Sequence, residues 1–74
     1  MEKVSAYNMR IGSLVKAVWN KLHYLYIVCE VSERVLAGRA YHSFSLKGLY
    51  HGDNITITFS NDKDIFGNYF VISY

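Results

Sequence analysis

The chain contains no proline and a single cysteine, Cys29, among its 74 residues. Without proline, it cannot present a polyproline recognition segment or fold through a slow cis-proline step. One thiol cannot form an internal disulfide, and chains without disulfides are typical of reducing compartments. We therefore expect a cytoplasmic protein in which Cys29 is a small core side chain.

Long apolar stretches are also missing. The longest is Leu25–Cys29, far shorter than the ~20 residues of a membrane-spanning helix. No basic segment followed by an apolar one, the pattern of a signal peptide, opens the chain. We expect no membrane span and no secretion, and the length predicts one small domain over residues 1–74.

Motifs for chemistry are scarce as well. The three histidines, His23, His42 and His51, do not have the spacing of a helical zinc pair. Residues 61–64 (Asn-Asp-Lys-Asp) lack the further oxygen ligands and the terminal bidentate Glu of a calcium-binding loop, and no glycine-rich phosphate loop is present. We therefore expect no enzyme, no cofactor and no metal site.

Strand patterning dominates what is present. Ile55, Ile57 and Phe59 alternate with hydroxyl side chains, which predicts a strand with one dry face and one polar face. Turn-forming residues follow at 61–64, and a second apolar run extends over residues 65–74. This pattern predicts a terminal hairpin.

Two earlier segments, Leu14–Trp19 and Leu22–Val31, are predicted as a hairpin because the Asn20-Lys21 pair between them suits a two-residue turn. Their β-branched and aromatic residues favour strands. The alternative is a helix over residues 13–26, with Ser13 as its N-cap. In that case the fold would be α+β.

A turn is predicted at residues 32–34, another strand at Arg39–Leu46, and a loop at residues 47–54 with two glycines. Five or six short strands at such spacing predict a mostly β protein. The expected architecture is a small antiparallel five- or six-stranded barrel, SH3-like or OB-like, because closure removes exposed strand edges.

The segment Arg10-Ile-Gly-Ser-Leu-Val-Lys resembles the opening strand of SH3-like barrels, where a hydrophobic residue, a glycine and a polar residue precede Leu-Val. The run Tyr26–Val31 falls where such domains place their second strand. The resemblance covers about ten residues, and Ser13 stands where an acidic residue is usual. It implies a fold and no particular activity, since these barrels bind RNA, DNA or peptides.

Apolar and aromatic residues are abundant for so small a chain, at 51% and 16%. A domain of this size has a thin core, so we expect some of this surface to meet a partner. The sequence therefore predicts a non-enzymatic binding module that acts through protein–protein contacts. Its small size and lack of motifs resemble an accessory or inhibitor protein of a virus or mobile element.

The last strand suggests where contact occurs. Phe70, Ile72 and Tyr74 share one face, and Tyr69 and Val71 share the other, so both faces are apolar. We expect a protein partner, and a second copy in a homodimer, to contact four residues: Tyr69, Val71, Tyr24 and Tyr26.

The competing prediction is nucleic-acid binding, because single-strand binders combine basic and aromatic side chains on one sheet face. The residues that would supply this face are Lys16, Trp19, Lys21, Arg39 and Tyr41. The net charge of +2 is small for such a protein.

Overall fold

The computed structural model describes residues 2–50, 52–60 and 66–73. Over these residues it contains no helix and six strands: β1 (Glu2–Val4), β2 (Leu14–Trp19), β3 (Leu22–Leu36), β4 (Arg39–Gly48), β5 (Asn54–Phe59) and β6 (Phe66–Ser73). The mostly β class is thus confirmed. The alternative helix over residues 13–26 is wrong, because β2 and the start of β3 occupy that segment.

All six strands belong to one antiparallel sheet in the order β1-β6-β2-β3-β4-β5, and this sheet is not closed. The chain runs from β2 to β5 as a meander and then returns, so that β6 pairs with β2 and β1. The predicted terminal hairpin is therefore wrong, since β5 pairs with β4 at the far edge. Its proposed turn, residues 61–64, lies outside the described residues.

The turn between β2 and β3 follows the prediction. Asn20 and Lys21 both have positive φ angles, 49° and 65°. Two such residues form the turn whose twist matches that of antiparallel strands. Trp19 and Leu22 flank this turn and pair with each other.

By contrast, the turn predicted at residues 32–34 is absent, because β3 continues through these residues to Leu36. The chain reverses at Ala37 and Gly38, whose φ angles are 51° and 75°. Polar residues 32–34 are tolerated in the strand because this part of β3 is exposed on both faces.

A β-bulge at Cys29 changes the face that β3 presents. The register with β4 shifts between Val28 and Glu30. Even-numbered side chains of β3 lie on the core face before the bulge, and odd-numbered side chains lie on that face after it. Val28 and Val31 consequently lie on the same face. Cys29 is exposed, and its thiol donates to the Ser45 carbonyl at 3.3 Å, so the prediction of a core thiol is wrong.

The core lies on one side of the sheet. Its buried side chains are Val4, Ala6, Met9, Val15, Ala17, Tyr26, Val28, Phe44, Leu46, Ile57, Phe59 and Val71. Val4 and Phe59 are completely buried although they come from the two opposite edge strands. A sheet with no covering helix in its described part can do this only by curving around its own core.

The predicted faces of β5 are confirmed. Ile57 and Phe59 are buried, whereas Thr56 and Thr58 are exposed. Phe59 packs edge-to-face on Phe44, with ring centroids 5.8 Å apart, an arrangement that aromatic pairs prefer.

The turn before β2 holds the only fully buried polar side chain recorded in the described residues, that of Ser13. Its Oγ accepts a hydrogen bond from the Arg10 amide at 3.0 Å. The Gly12 amide donates to the Val28 carbonyl at 2.8 Å, and the Val28 amide donates to the Ser13 carbonyl at 3.0 Å. This turn therefore fixes the start of β2 against the middle of β3.

Candidate functional site

β3 and β4 extend beyond the rest of the sheet as a two-stranded arm, residues 30–41. The pairing of β3 with β2 ends at Ile27, and that of β4 with β5 begins at His42. Residues 29–40 are all exposed, and the molecule measures 38 Å in its long dimension against about 20 Å in the others. The arm is therefore the part of the described chain least covered by the remainder.

One side of the arm is an open strand edge. Residues Glu30–Leu36 of β3 pair with β4 on one side, and no strand of the described chain pairs with them on the other. Seven residues of extended chain span about 23 Å. Backbone donors and acceptors along such an edge are available to another strand.

The arm also carries apolar side chains into solvent. Val35 is 70% exposed, and Val31 and Leu36 are exposed as well. Val31 lies opposite the buried Phe44 and Val35 opposite Ala40, so one face of the arm continues the face that forms the core. Val31 and Val35 share this face with Glu33 between them, and exposed apolar surface is typical of interaction sites.

A concave site lies toward the other end of β3. It is a cavity of about 250 Å³ lined by Ala17, Val18, Trp19, Tyr24, Tyr26, Asp53, Asn68 and Tyr69, which we call the tyrosine pocket. In the sheet register, Ala17 of β2 lies between Tyr24 of β3 and Tyr69 of β6. The small alanine side chain between two large rings leaves the space that the pocket occupies.

The electrostatics of the tyrosine pocket are set by its acidic groups. Burial is the main cause that raises the pKa of the Tyr26 phenol above its ordinary value of 10.0, and interactions with three neighbours, Tyr69, Asp53 and Tyr24, raise this pKa further. Tyr26 therefore keeps its proton at neutral pH. Among the described lining residues, Asp53 is the only aspartate, glutamate, lysine or arginine.

The four residues predicted to contact a protein are brought together, but on the inner face. Tyr26 and Val71 belong to the core, with only 6% and 4% of their surfaces exposed, and Tyr24 and Tyr69 are half-buried against it. Val71 therefore cannot meet a partner unless the core opens, whereas Tyr26 is reachable only where it lines the tyrosine pocket. Contact through Tyr24 and Tyr69, which line the pocket, stays a prediction.

Tyr69 and Val71 share a face of the last strand as predicted, but this face packs on the core. Val71 belongs to the core, whereas Ile72 is 39% exposed. The pairing of Val71 with Val15 explains this, because β6 lies inside the sheet and not in a hairpin with β5. Tyr74 lies outside the described residues.

The residues predicted to bind nucleic acid are not brought together. Lys16 and Trp19 project from opposite faces of β2, since they are an odd number of positions apart. Lys21 precedes the first residue of β3, whereas Arg39 pairs with the last, Leu36. Fifteen residues of β3 thus separate the two ends of the predicted surface, and Tyr41 lies with Arg39 at the arm.

Groupings suited to metal ions do not occur in the described chain: no three histidine, cysteine or acidic side chains lie close enough to hold one. His51 lies outside the described residues. The described residues also include no helix of the length and apolar character that crossing a membrane requires.

Comparison with known proteins identifies no relative of this chain. The sequence matches no family model, no curated protein and no solved structure. The functional inference therefore depends on the arm and the tyrosine pocket themselves.

Proposed function

We propose that this chain is a small non-enzymatic binding module that acts through protein–protein contacts, and that one partner is a second copy bound along the arm. The observation that carries the proposal is the open edge of β3 at Glu30–Leu36. Addition of a strand to such an edge is a common mode of recognition, because the backbone hydrogen bonds supply affinity.

The side chains of the arm support a particular pairing. A two-fold axis that keeps the same face of both sheets upward must place one residue opposite its own copy. With Ser32 at the axis, Glu30 lies opposite Arg34 of the second copy, and the same pair occurs again by symmetry. Opposite charges placed directly across two strands stabilise the pairing by about 0.2–1 kcal/mol each.

Neighbouring registers lack this complementarity. An axis at Glu33 would place two Glu33 carboxylates opposite each other, and an axis at Arg34 would do the same with two guanidinium groups. Like charges at such positions are destabilising. The sequence of the edge therefore favours the register centred on Ser32.

The dimer of this proposal would leave both tyrosine pockets open, because they lie toward the opposite end of β3 from the arm. A larger protein contacted through these pockets would be bound by two identical sites. This arrangement suits the accessory or inhibitor role that the small size of the chain suggests.

We also propose that the curved sheet forms a partly open barrel of SH3-like or OB-like type. Complete burial of Val4 and Phe59 in one cluster supports it, as does the bulge at Cys29, because bulges bend strands and increase their twist.

Charge exchange at the edge tests the dimer. Glu30→Arg should place like charges across the interface twice and weaken the dimer by about 1–2 kcal/mol, roughly tenfold in dissociation constant. Arg34→Glu should act similarly, and the double variant should restore the affinity of the unchanged protein. Sedimentation velocity over a range of concentrations measures all three effects.

Lys47→Glu, an exposed change in β4 outside the arm, is the matched control and should leave the dimer unchanged. A monomer at every concentration would refute self-association. A dimer that is indifferent to both single exchanges would show that the copies meet elsewhere.

A further inference from the structure

The tyrosine pocket has the chemistry of a cation site. We propose that it binds a single alkylammonium group, such as the head group of a lysine side chain, between its aromatic rings and the Asp53 carboxylate. The inference is independent of the dimer, since the pocket and the arm lie toward opposite ends of β3.

The walls of the pocket are suited to a cation. Trp19, Tyr24 and Tyr69 come from three adjacent strands, β2, β3 and β6, and surround the space above Ala17. The faces of aromatic rings carry negative electrostatic potential, so several rings around one space attract a positive group. Tryptophan and tyrosine are the rings that do so most effectively.

Charge in the pocket has the matching sign. Asp53 is exposed and contributes a carboxylate, and neither lysine nor arginine lines the pocket within the described residues. The field of Asp53 reaches the interior, because it is among the causes that raise the pKa of the Tyr26 phenol. In the described part of the lining, an alkylammonium group would therefore meet the Asp53 carboxylate and no lysine or arginine.

The size of the cavity limits what it can hold. Its volume of about 250 Å³ corresponds to roughly eight water molecules. Pockets for drug-sized ligands measure roughly 300–1,000 Å³. One small head group fits this space, which lies below the range for drug-sized ligands.

Trp19 provides the readout, because it is the only tryptophan of the chain and lines the pocket. Choline chloride, titrated at constant ionic strength, should change its fluorescence saturably. The neutral analogue 3,3-dimethylbutan-1-ol has nearly the same shape and should not. N-acetyl-lysine methylamide, tested in parallel, distinguishes a protein side chain from a free ammonium compound as the preferred source of the cation.

Variants separate the two parts of the site. Asp53→Asn keeps the shape of the side chain and should weaken choline binding about fivefold to tenfold, through loss of its charge. Tyr24→Leu removes one ring and should weaken binding roughly twofold to thirtyfold, the range of one cation–π contact. Glu33→Gln on the arm and Tyr50→Leu, at a residue 84% exposed and outside the lining, should bind choline as the unchanged protein does.

Circular dichroism establishes that each variant is folded before it is titrated. If Tyr24→Leu does not fold, Asp53→Asn alone decides the question. Equal binding of choline and its neutral analogue would overturn the proposal, as would the absence of a saturable response to all three compounds. Unchanged affinity in Asp53→Asn would exclude the carboxylate from the site and would equally contradict it.

Discussion

Replacing Val71 by lysine should unfold the domain, whereas the same replacement at the next residue, Ile72, should be tolerated. Val71 is 4% exposed, belongs to the core, and lies between Glu2 of β1 and Val15 of β2 in the sheet. Ile72 is the extra residue of a β-bulge, since Val71 pairs with Val15 and Ser73 with Leu14, and it is 39% exposed. The pair therefore tests the face assignment of β6 with one chemical change.

The magnitude follows from burial. A valine side chain loses about 1.5–3 kcal/mol of transfer free energy when it is no longer buried. A buried ammonium group adds an effective penalty of several kcal/mol, on the order of 5 kcal/mol. A chain of 74 residues has a free energy of unfolding of only about 4–11 kcal/mol, so Val71→Lys should remove most or all of it.

Val71→Ala gives a graded version of the same test. It removes two methyl-sized groups and leaves a small cavity, at a cost of about 2 kcal/mol. The midpoint of thermal unfolding should fall by roughly 10 °C, followed by circular dichroism at the β-sheet minimum. A Val71→Lys variant as stable as the unchanged protein, together with an unfolded Ile72→Lys variant, would refute the inward orientation of Val71.

Three further changes probe other parts of the fold. Ala37→Asn should raise the free energy of unfolding by about 0.5–1 kcal/mol, measured by urea denaturation, because asparagine tolerates the positive φ of 51° better than alanine does. Ser13→Ala should lower the free energy of unfolding by about 1–3 kcal/mol, through loss of the buried hydrogen bond from the Arg10 amide. Ser43→Ala removes an exposed hydroxyl contact and should change the free energy of unfolding by less than about 0.5 kcal/mol. Above pH 10, the free energy of unfolding should fall more steeply with pH in the unchanged protein than in Tyr26→Phe. The pKa of the Tyr26 phenol is raised in the folded protein, so the phenol ionises first in the unfolded state. The stabilisation that this phenol contributes is complete below its ordinary pKa and is lost as pH rises through the folded-state pKa. Equal pH dependence of the two proteins in urea titrations would contradict this assignment.

Features encoded by neighbouring residues were predictable from the sequence. The Asn20-Lys21 turn and the alternation of Ile57 and Phe59 with polar residues depend on local backbone preference and on the period of a strand. Each is present as expected. The absence of a helix at residues 13–26 follows from the same β-branched and aromatic content.

Pairings between distant segments were not predictable in this way. Adjacent strands at the end of the chain suggested a hairpin, but β6 lies between β1 and β2. Val71 therefore packs in the core and does not contact a partner. The bulge at Cys29 adds one residue and exchanges the faces of β3, and no composition signal marks it. A simple alternation of side chains therefore fails beyond Val28.

The candidate sites were predicted only in part, since Tyr24, Tyr26 and Tyr69 were named as contact residues but the pocket and the arm were not. The tyrosine pocket combines residues of three strands with Asp53 from a loop, so no single segment contains its pattern. The arm was not predicted because Ser32 and its polar neighbours have the composition of a turn. The observed turn instead contains Ala37, in a conformation unusual for alanine. Only the register shows that Lys21 and Arg39 lie at opposite ends of β3.

Disulfide cross-linking at Ser32 is the most direct measurement of the proposed self-pairing. In a Cys29→Ser background, Ser32→Cys would place two thiols directly opposite each other at the two-fold axis. Paired residues of antiparallel strands have Cα atoms about 4.5–5.5 Å apart, within the range that a disulfide requires. Mild oxidation should therefore produce a covalent dimer rapidly and nearly completely.

Val35→Cys in the same background is the control. In the register centred on Ser32, the two copies of residue 35 are six positions apart, about 20 Å along the strand. Strand pairing centred on Ser32 predicts a covalent dimer for Ser32→Cys and very little for Val35→Cys, on non-reducing gels at low protein concentration. Equal cross-linking at the two positions, or none at Ser32→Cys, would contradict strand pairing along the arm.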